Sequence, residues 1–254
     1  MTQPNVRVGI GGWNYAPWRD NFYPKGLAQA KELEYAASRL GAIEINATFY
    51  GRQNPASWEK WAKTVPDGFQ FAIKASRFCV SRSKLADGAE SIANFVGQGF
   101  SVLGPKLGPI LWQFQARRRF ELDDIATFLK LLPTEVDGVR LRHALEPRHE
   151  SFRDPAFYDL CRDHGVAIVY GDDDEFPCID ADTSDFRYAR LQRMSETVPT
   201  GYDSPALDRF AKLASGWSNK GRDSFLYMIN GAKLRAPAAA LALQERLGIT
   251  PAAA

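Results

Sequence analysis

Apolar residues follow two alternating rhythms along this chain. Short runs rich in β-branched and aromatic residues fall at 7–10, 43–45, 69–73, 109–112, 139–145, 166–170, 186–191 and 225–229, with the length and composition of buried strands. Between them the apolar period lengthens. Ile125, Phe128, Leu129 and Leu132 recur at helical spacing, as do Leu207, Phe210, Leu213 and Trp217, so each set makes one apolar stripe on a helix. Asn54-Pro55, Asp154-Pro155 and Ser204-Pro205 each place a side-chain acceptor at an N-cap and a proline at the first helical position, where its missing N–H costs nothing. Gly165 and Gly216 are expected to end helices in a left-handed turn. A last helix is predicted over 237–247, with a Pro-Ala-Ala-Ala tail expected to fray.

Eight strands separated by helices, with no Ser/Gly-rich linker, predict an α/β protein: a single TIM-type (β/α)8 barrel of eight parallel strands spanning 1–254. A doubly wound open sheet is the alternative, and it would need a dinucleotide fingerprint after the first strand. Gly9-Ile10-Gly11-Gly12-Trp13-Asn14 has two glycines of that pattern but Asn14 in place of the third, with bulky Trp13 beside it. These glycines are read instead as room for close backbone approach at the barrel mouth. No Walker loop occurs, and no cofactor is expected.

Composition narrows the class without naming a reaction. The 254 residues carry 32 Lys+Arg against 30 Asp+Glu, a net charge of +2. The 45% hydrophobic and 24% charged fractions exclude a disordered chain, a collagen repeat and a disulfide scaffold. Cys79, Cys161 and Cys178 are scattered and odd in number, which fits a reducing compartment. With neither an export signal nor 18 consecutive apolar residues, a cytoplasmic protein with no membrane partner is expected.

In such a barrel, chemistry belongs at the C-terminal ends of the strands. The first strand leads to Trp13, Asn14, Tyr15 and Trp18. The second carries Glu44, Asn46 and Thr48, then Phe49 and Tyr50. Lys74 and Arg77 end the third, Gln113 the fourth, and Glu146, Arg148 and His149 the fifth. Asp172 ends the sixth, Arg190 and Gln192 the seventh, and Asn230 the eighth.

These residues resemble the YecE-like proteins, the family described as domain of unknown function 72. The resemblance covers nearly the whole chain. It rests on Gly12-Trp13 with Tyr15, Trp18 and Tyr23-Pro24; Glu44-Ile45-Asn46 with Thr48-Phe49-Tyr50; and Trp58 with Trp61. It continues through Phe71-Ala72-Ile73-Lys74, Leu103 to Pro109 leading to Gln113-Phe114, Glu146-Pro147-Arg148-His149 with Ser151, Asp172, Arg190-Leu191 and Asn230. It implies a TIM barrel and a site at the strand ends, but no activity. The chain departs from the family pattern where Gln192-Arg193 replace His-Gly, Gln115-Ala116 replace a double proline, Asn230-Gly231 replace paired asparagines, and Ser81 replaces a histidine.

Two carboxylates in different environments can be driven to different pKa values, so Glu44 and Glu146 are candidate acid and base, with His149 a further proton-transfer group. The competing reading pairs both glutamates with Lys74, Arg148 or Arg190 in a network that only fills the barrel. A divalent site of Glu44, Glu146 and Asp172 with Gln113 or Asn230 would suit Mg²⁺ or Mn²⁺; the preferred reading needs no metal. His143 is placed within a strand and His164 at a helix C-terminus. Asp172 to Glu175 is read as a solvated acidic loop.

Trp13, Tyr15, Trp18, Phe49 and Tyr50 are candidates for stacking a sugar ring or base, whereas Trp58 and Trp61 are assigned to packing. Lys74, Arg77, Arg82, Lys84, Arg117 to Arg119, Arg148 and Arg193 all follow strand ends and would form a positive rim. The function expected is therefore an enzyme acting on a small anionic, phosphate-containing or sugar-like substrate. Asn46, Lys74, Gln113, Arg148, Asp172, Arg190 and Asn230 would bind it along with the aromatic rings. The alternative is a nucleic-acid-binding module that uses the same basic rim and aromatic mouth.

Overall fold

A computed structural model describes residues 6–250 of the chain. Its strands are β1 (Val6–Gly11), β2 (Ala42–Ile45), β3 (Gln70–Lys74), β4 (Leu107–Gln113), β5 (Glu135–Val136), β6 (Val139–Arg140), β7 (His143–Glu146), β8 (Ala167–Ile168), β9 (Tyr170–Asp172), β10 (Phe186–Leu191) and β11 (Asp223–Met228). Nine of these pair in parallel in the order β8-β7-β4-β3-β2-β1-β11-β10-β9. The two ends of that sheet, β8 and β9, are successive pieces of one segment separated by Val169. The sheet therefore curls into a nearly closed barrel whose sixth position is a broken strand. The expected TIM-type fold holds, with nine strand segments in place of eight strands.

The helices are α1 (Glu32–Arg39), α2 (Pro55–Thr64), α3 (Arg77–Val80), α4 (Ala89–Val96), α5 (Leu122–Leu131), α6 (Pro155–Asp163), α7 (Ser204–Ser218) and α8 (Ala236–Arg246). Asn54 and Asp154 cap α2 and α6 as expected, accepting from the amides of Ala56 and Ala156. The third cap is Asp203 and not Ser204: its carboxylate accepts from Ala206 N, which puts Pro205 one position further in. Gly165 follows the end of α6 in a left-handed conformation, φ 62°. Gly216 lies inside α7, and the left-handed glycine after that helix is Gly221. No helix lies between β9 and β10, where the run of acids after Asp172 offers no apolar stripe. The Pro-Ala-Ala-Ala tail lies outside the described residues, and among those described no helix is long and apolar enough to cross a membrane.

Two apolar clusters build the core. The larger joins the outer faces of the strands to the helices, and its tightly grouped rings include Trp58, Trp61 and Phe100. The smaller fills the barrel: Ala42, Ala72, Leu111, Ala144 and Ala167 from one side, and Phe186, Tyr188, Phe225 and Tyr227 from the other. Small residues facing large ones keep the interior filled. A strand returns to the same face every second residue. Ala42 therefore leads to Glu44, Ala72 to Lys74, Leu111 to Gln113, Ala144 to Glu146 and Tyr188 to Arg190. A polar layer stands directly above the apolar one, at the C-terminal end of the barrel.

His143 belongs to the outer core. Its Nδ1 accepts from Trp112 Nε1 at 3.0 Å and its Nε2–H donates to Pro133 O at 2.7 Å, so both nitrogens are used in the neutral form. Burial lowers its pKa from 6.5 to about 4, against the raising effect of the Pro133 carbonyl. A histidine with a depressed pKa adds stability above 6.5 that is lost as pH falls through 4. Urea midpoints should fall between pH 6.5 and 4, and His143→Gln should flatten that slope while lowering stability at pH 7. An equal slope in the variant would refute this assignment.

Candidate active site

The polar layer centres on Arg190, which is 1% exposed. Its guanidinium holds Glu44 through Nε and Nη2, both at 3.1 Å, and Glu146 through Nη1 at 2.7 and 3.0 Å. Glu44 also accepts from Tyr188 OH at 2.7 Å. Glu146 accepts from Gln113 Nε2 at 2.6 Å and from Arg148 Nη2 at 3.4 Å. Gln113 and Glu146 are register partners on β4 and β7, so the sheet itself sets that contact. An arginine fork suits this role because it can bind two carboxylates at once.

The electrostatics follow from this crowding. Burial works to raise the Glu146 pKa, but Arg190, then Arg148, Gln113 and Lys74, outweigh it and bring the carboxyl down to about 2. Burial opposes the charge on Arg190, and the two glutamates more than restore it, raising its pKa. Lys74 moves the other way. Burial and the charge of Arg190, with Arg148 adding, bring its amine to about 8 despite the raising effect of Glu44 and Glu146. Its Nζ lies 4.4 Å from the centre of the Phe49 ring.

Arg148 rests on the Phe176 ring, 4.4 Å from its centre, and its buried Nε has no hydrogen-bond partner. Phe176 belongs to the helix-free connection after β9. Against these two glutamates stand three cations, Lys74, Arg148 and Arg190, so the layer carries surplus positive charge.

The other candidate residues are less gathered. His149 accepts from Ser151 N at 3.1 Å through Nδ1 and pairs with Ser151 Oγ at 2.9 Å, so it caps the short turn of residues 150–152. Asp172 heads a separate cluster: Arg193 donates to it at 2.6 and 3.0 Å and Tyr202 OH at 2.9 Å. With Arg190 between the two glutamates and Asp172 held by Arg193, the donor set considered for a divalent ion is not assembled.

A cleft of about 490 Å³ opens beside β1, β2 and β11 and is lined by Gly12, Trp13, Asn46, Tyr50, Asn230 and Lys233 among others. Asn230 holds a left-handed φ of 57°, costly for a residue with a side chain, and donates to Gln192 Oε1 at 2.9 Å. Gln192 is thus tied to the adjoining strand end. Trp13 stacks edge-on to Trp61, and Tyr15 to Trp18, with Lys233 over the Tyr15 ring. Tyr50 is 70% exposed.

A second cleft of about 460 Å³ is lined by Phe49, Ser81, Gln113, Arg117 and Arg148 among others. The expected basic rim is partly internal structure. Arg118 is tied to Asp124 and to the carbonyls of Arg82 and Ser83, Arg82 to Ser91, and Arg193 to Asp172 and Asp174. Arg77, Lys84, Arg117 and Arg119 are exposed.

The sequence reading did not single out Tyr188, Tyr202 or Phe176. Tyr188 was open to detection, since it lies two residues before Arg190 on the same strand and must face the same way.

The chain resembles "UPF0759 protein YunF" of Bacillus subtilis, with 27% identity over 159 residues, 61% of this chain. The match spans about half, 54%, of that relative's length. Its fold is similar to that of a DUF72 family protein from Thermotoga maritima, with TM-score 0.73 and 20% identity over 94% of this chain and 96% of that one. A DUF72 family protein from Enterococcus faecalis is similar too, with TM-score 0.75 and 18% identity over 96% and 98% of the two chains. SacUVDE shares the fold more distantly, with TM-score 0.56 and 8% identity over 95% and 99%. The family model "Protein of unknown function DUF72" matches residues 7–254, and the chain belongs to that family.

Proposed function

We propose that this protein is an enzyme acting on a small anionic substrate at the C-terminal mouth of its barrel. The observation that supports this is the charge left over in the polar layer. Glu44 and Glu146 are both engaged by Arg190, while Arg148 lines a cleft of about 460 Å³ together with Phe49, against whose ring Lys74 lies. A half-buried cation with an unpartnered N–H is a strong attraction for phosphate or carboxylate. In this reading Arg148 takes the anion, with Gln113 and Arg117 beside it in the cleft and Lys74 close by. Glu146, ionised above about pH 2, has no proton to give at neutral pH and is a weak base, so it holds Arg190, Gln113 and Arg148 in place. Glu44, with both oxygens bonded, keeps Arg190 in place. The reading requires no metal or cofactor. The three cysteines are free, which suits a reducing cytoplasm.

A second reading draws on the rim. Arg77, Lys84, Arg117 and Arg119 have no carboxylate partner among the described residues, and Phe78 and Tyr50 are exposed beside the mouth. These are elements of a single-stranded nucleic-acid surface. The likeness to SacUVDE speaks to fold alone.

One titration separates the two readings. Inorganic phosphate, measured by calorimetry against chloride at matched ionic strength, is expected to bind the wild type. Arg148→Ala should lose about tenfold in affinity, roughly 1.4 kcal/mol. If phosphate binds no better than chloride, the anion site is refuted. If a short single-stranded oligonucleotide binds while phosphate does not, the rim reading takes its place.

A further inference from the structure

Lys74 has a property that simple anion binding leaves unused. Its ammonium has no hydrogen bond or ion pair among the described residues and lies over the face of the Phe49 ring. Lys74 is half-buried, so its three donors stay open to solvent or to a ligand. The carboxylates near enough to act on it are already spoken for: Glu44 by Arg190 and Tyr188, and Glu146 by Arg190, Gln113 and Arg148. Arg190 and Arg148 instead press positive charge on it. Phe49 also lines the cleft that holds Arg148, Arg117 and Gln113, so a molecule whose anionic end met the two arginines need only extend past that ring to reach the amine.

We propose that Lys74 is a catalytic nucleophile that condenses with an aldehyde or ketone carbonyl of the anionic substrate to form an imine at the end of β3. The inference rests on the anion site proposed above. The nitrogen lone pair attacks the carbonyl carbon and forms the C–N bond, while the carbonyl π pair moves to oxygen. One N–H proton passes to that oxygen, giving a carbinolamine. The hydroxyl then departs with the second N–H proton as water while the nitrogen lone pair closes the C=N bond. Nothing is oxidised or reduced, and no co-reactant is needed. Only the neutral amine reacts, and an amine at about 8 holds a few hundredfold more of it at pH 7 than one at the ordinary 10.5.

The test is to incubate the intact protein with pyridoxal 5′-phosphate as a probe carrying both an aldehyde and a phosphate. Imines are then trapped with borohydride and the modified lysines mapped by peptide mass spectrometry. Lys74 is expected to be modified at least about tenfold faster than exposed Lys60 and Lys63. The rate should rise through a midpoint near pH 8, inorganic phosphate should slow it, and Lys74→Arg should leave the other lysines' labelling unchanged. A parallel arm uses acetaldehyde, which carries no anion. Phosphate binding intact with Lys74 labelled no faster than Lys60 by either aldehyde overturns this inference and leaves the anion site standing. Rapid labelling of Lys74 by acetaldehyde in a protein that fails to bind phosphate supports the nucleophile and overturns the anion site.

Discussion

Arg190→Met should leave the barrel barely folded at neutral pH. The substitution roughly conserves volume but strands Glu44 and Glu146, which are 0% and 4% exposed. Removing one partner of a buried ion pair costs about 3–5 kcal/mol, and here two carboxylates lose the same partner. A domain's total stability is only about 5–15 kcal/mol. Urea unfolding of the purified variant measures the loss.

The pH dependence should also change sign. In the wild type, Glu146 lies below its ordinary 4.5, at about 2, so its contribution is present above 4.5 and is lost as pH falls through 2. Without Arg190 the same burial is no longer outweighed and its pKa rises. A raised carboxyl adds stability at low pH and loses it as pH climbs. The variant should therefore gain stability through Glu146 on acidification from pH 7 to 5, a gain the wild type lacks because its Glu146 stays ionised over that whole range. Combining Arg190→Met with Glu44→Gln and Glu146→Gln should recover much of the loss. A single variant with wild-type stability and slope would mean that the ion network contributes nothing.

Gly9→Ala should be nearly as damaging, for a steric reason. Gly9 pairs with Ala42 on β2 and Tyr227 on β11. A Cβ there would overlap the carbonyl oxygen of Ala42, with the carbonyl carbon at 2.7 Å and the Tyr227 ring at 3.2 Å. Because the obstacle is main chain, β1 and β2 must separate for the methyl to enter. Overpacking typically costs about 1–3 kcal/mol, and an unyielding neighbour places this case at the upper end. Gly12→Ala is the contrast: a Cβ there meets nothing within 4 Å, and only its φ of 72° opposes the change. Thermal melts of both variants should rank Gly9→Ala well below Gly12→Ala, and the reverse order would remove the steric argument.

The barrel was legible because each strand's apolar run is bounded by turn residues and separated from the next by a helical stripe. The misreadings have local causes. Residues 139–145 read as one strand because the apolar pattern runs through them, yet Val139 and Arg140 turn back on Glu135 and Val136. Asp137-Gly138, both left-handed, is the dipeptide that favours a two-residue hairpin, and it was visible in the sequence. Ser204 reads as a cap because it precedes a proline, yet the cap is Asp203. Aspartate one residue earlier caps at least as well, and sequence spacing does not separate a proline at the first position from one at the second.

For the site, the alternation that places Glu44, Lys74, Gln113, Glu146 and Arg190 in one layer could be read from the strands. Which charge would stand between which could not, since that depends on how far each strand is sheared against the next. Asp172, on the same list, pairs instead with Arg193, just past the seventh strand.

The break at Val169 has a mechanical meaning. The first and last strands of the barrel, β1 and β11, pair along a ladder, and the interruption falls inside the sixth strand, where the chain passes through a single residue from β8, bound to β7, to β9, bound to β10. Two edges stitched by covalent bonds cannot creep past each other. The pitch of the whole ring is thus fixed by chain connectivity, and with it the alignment of the charged tier above the alanines.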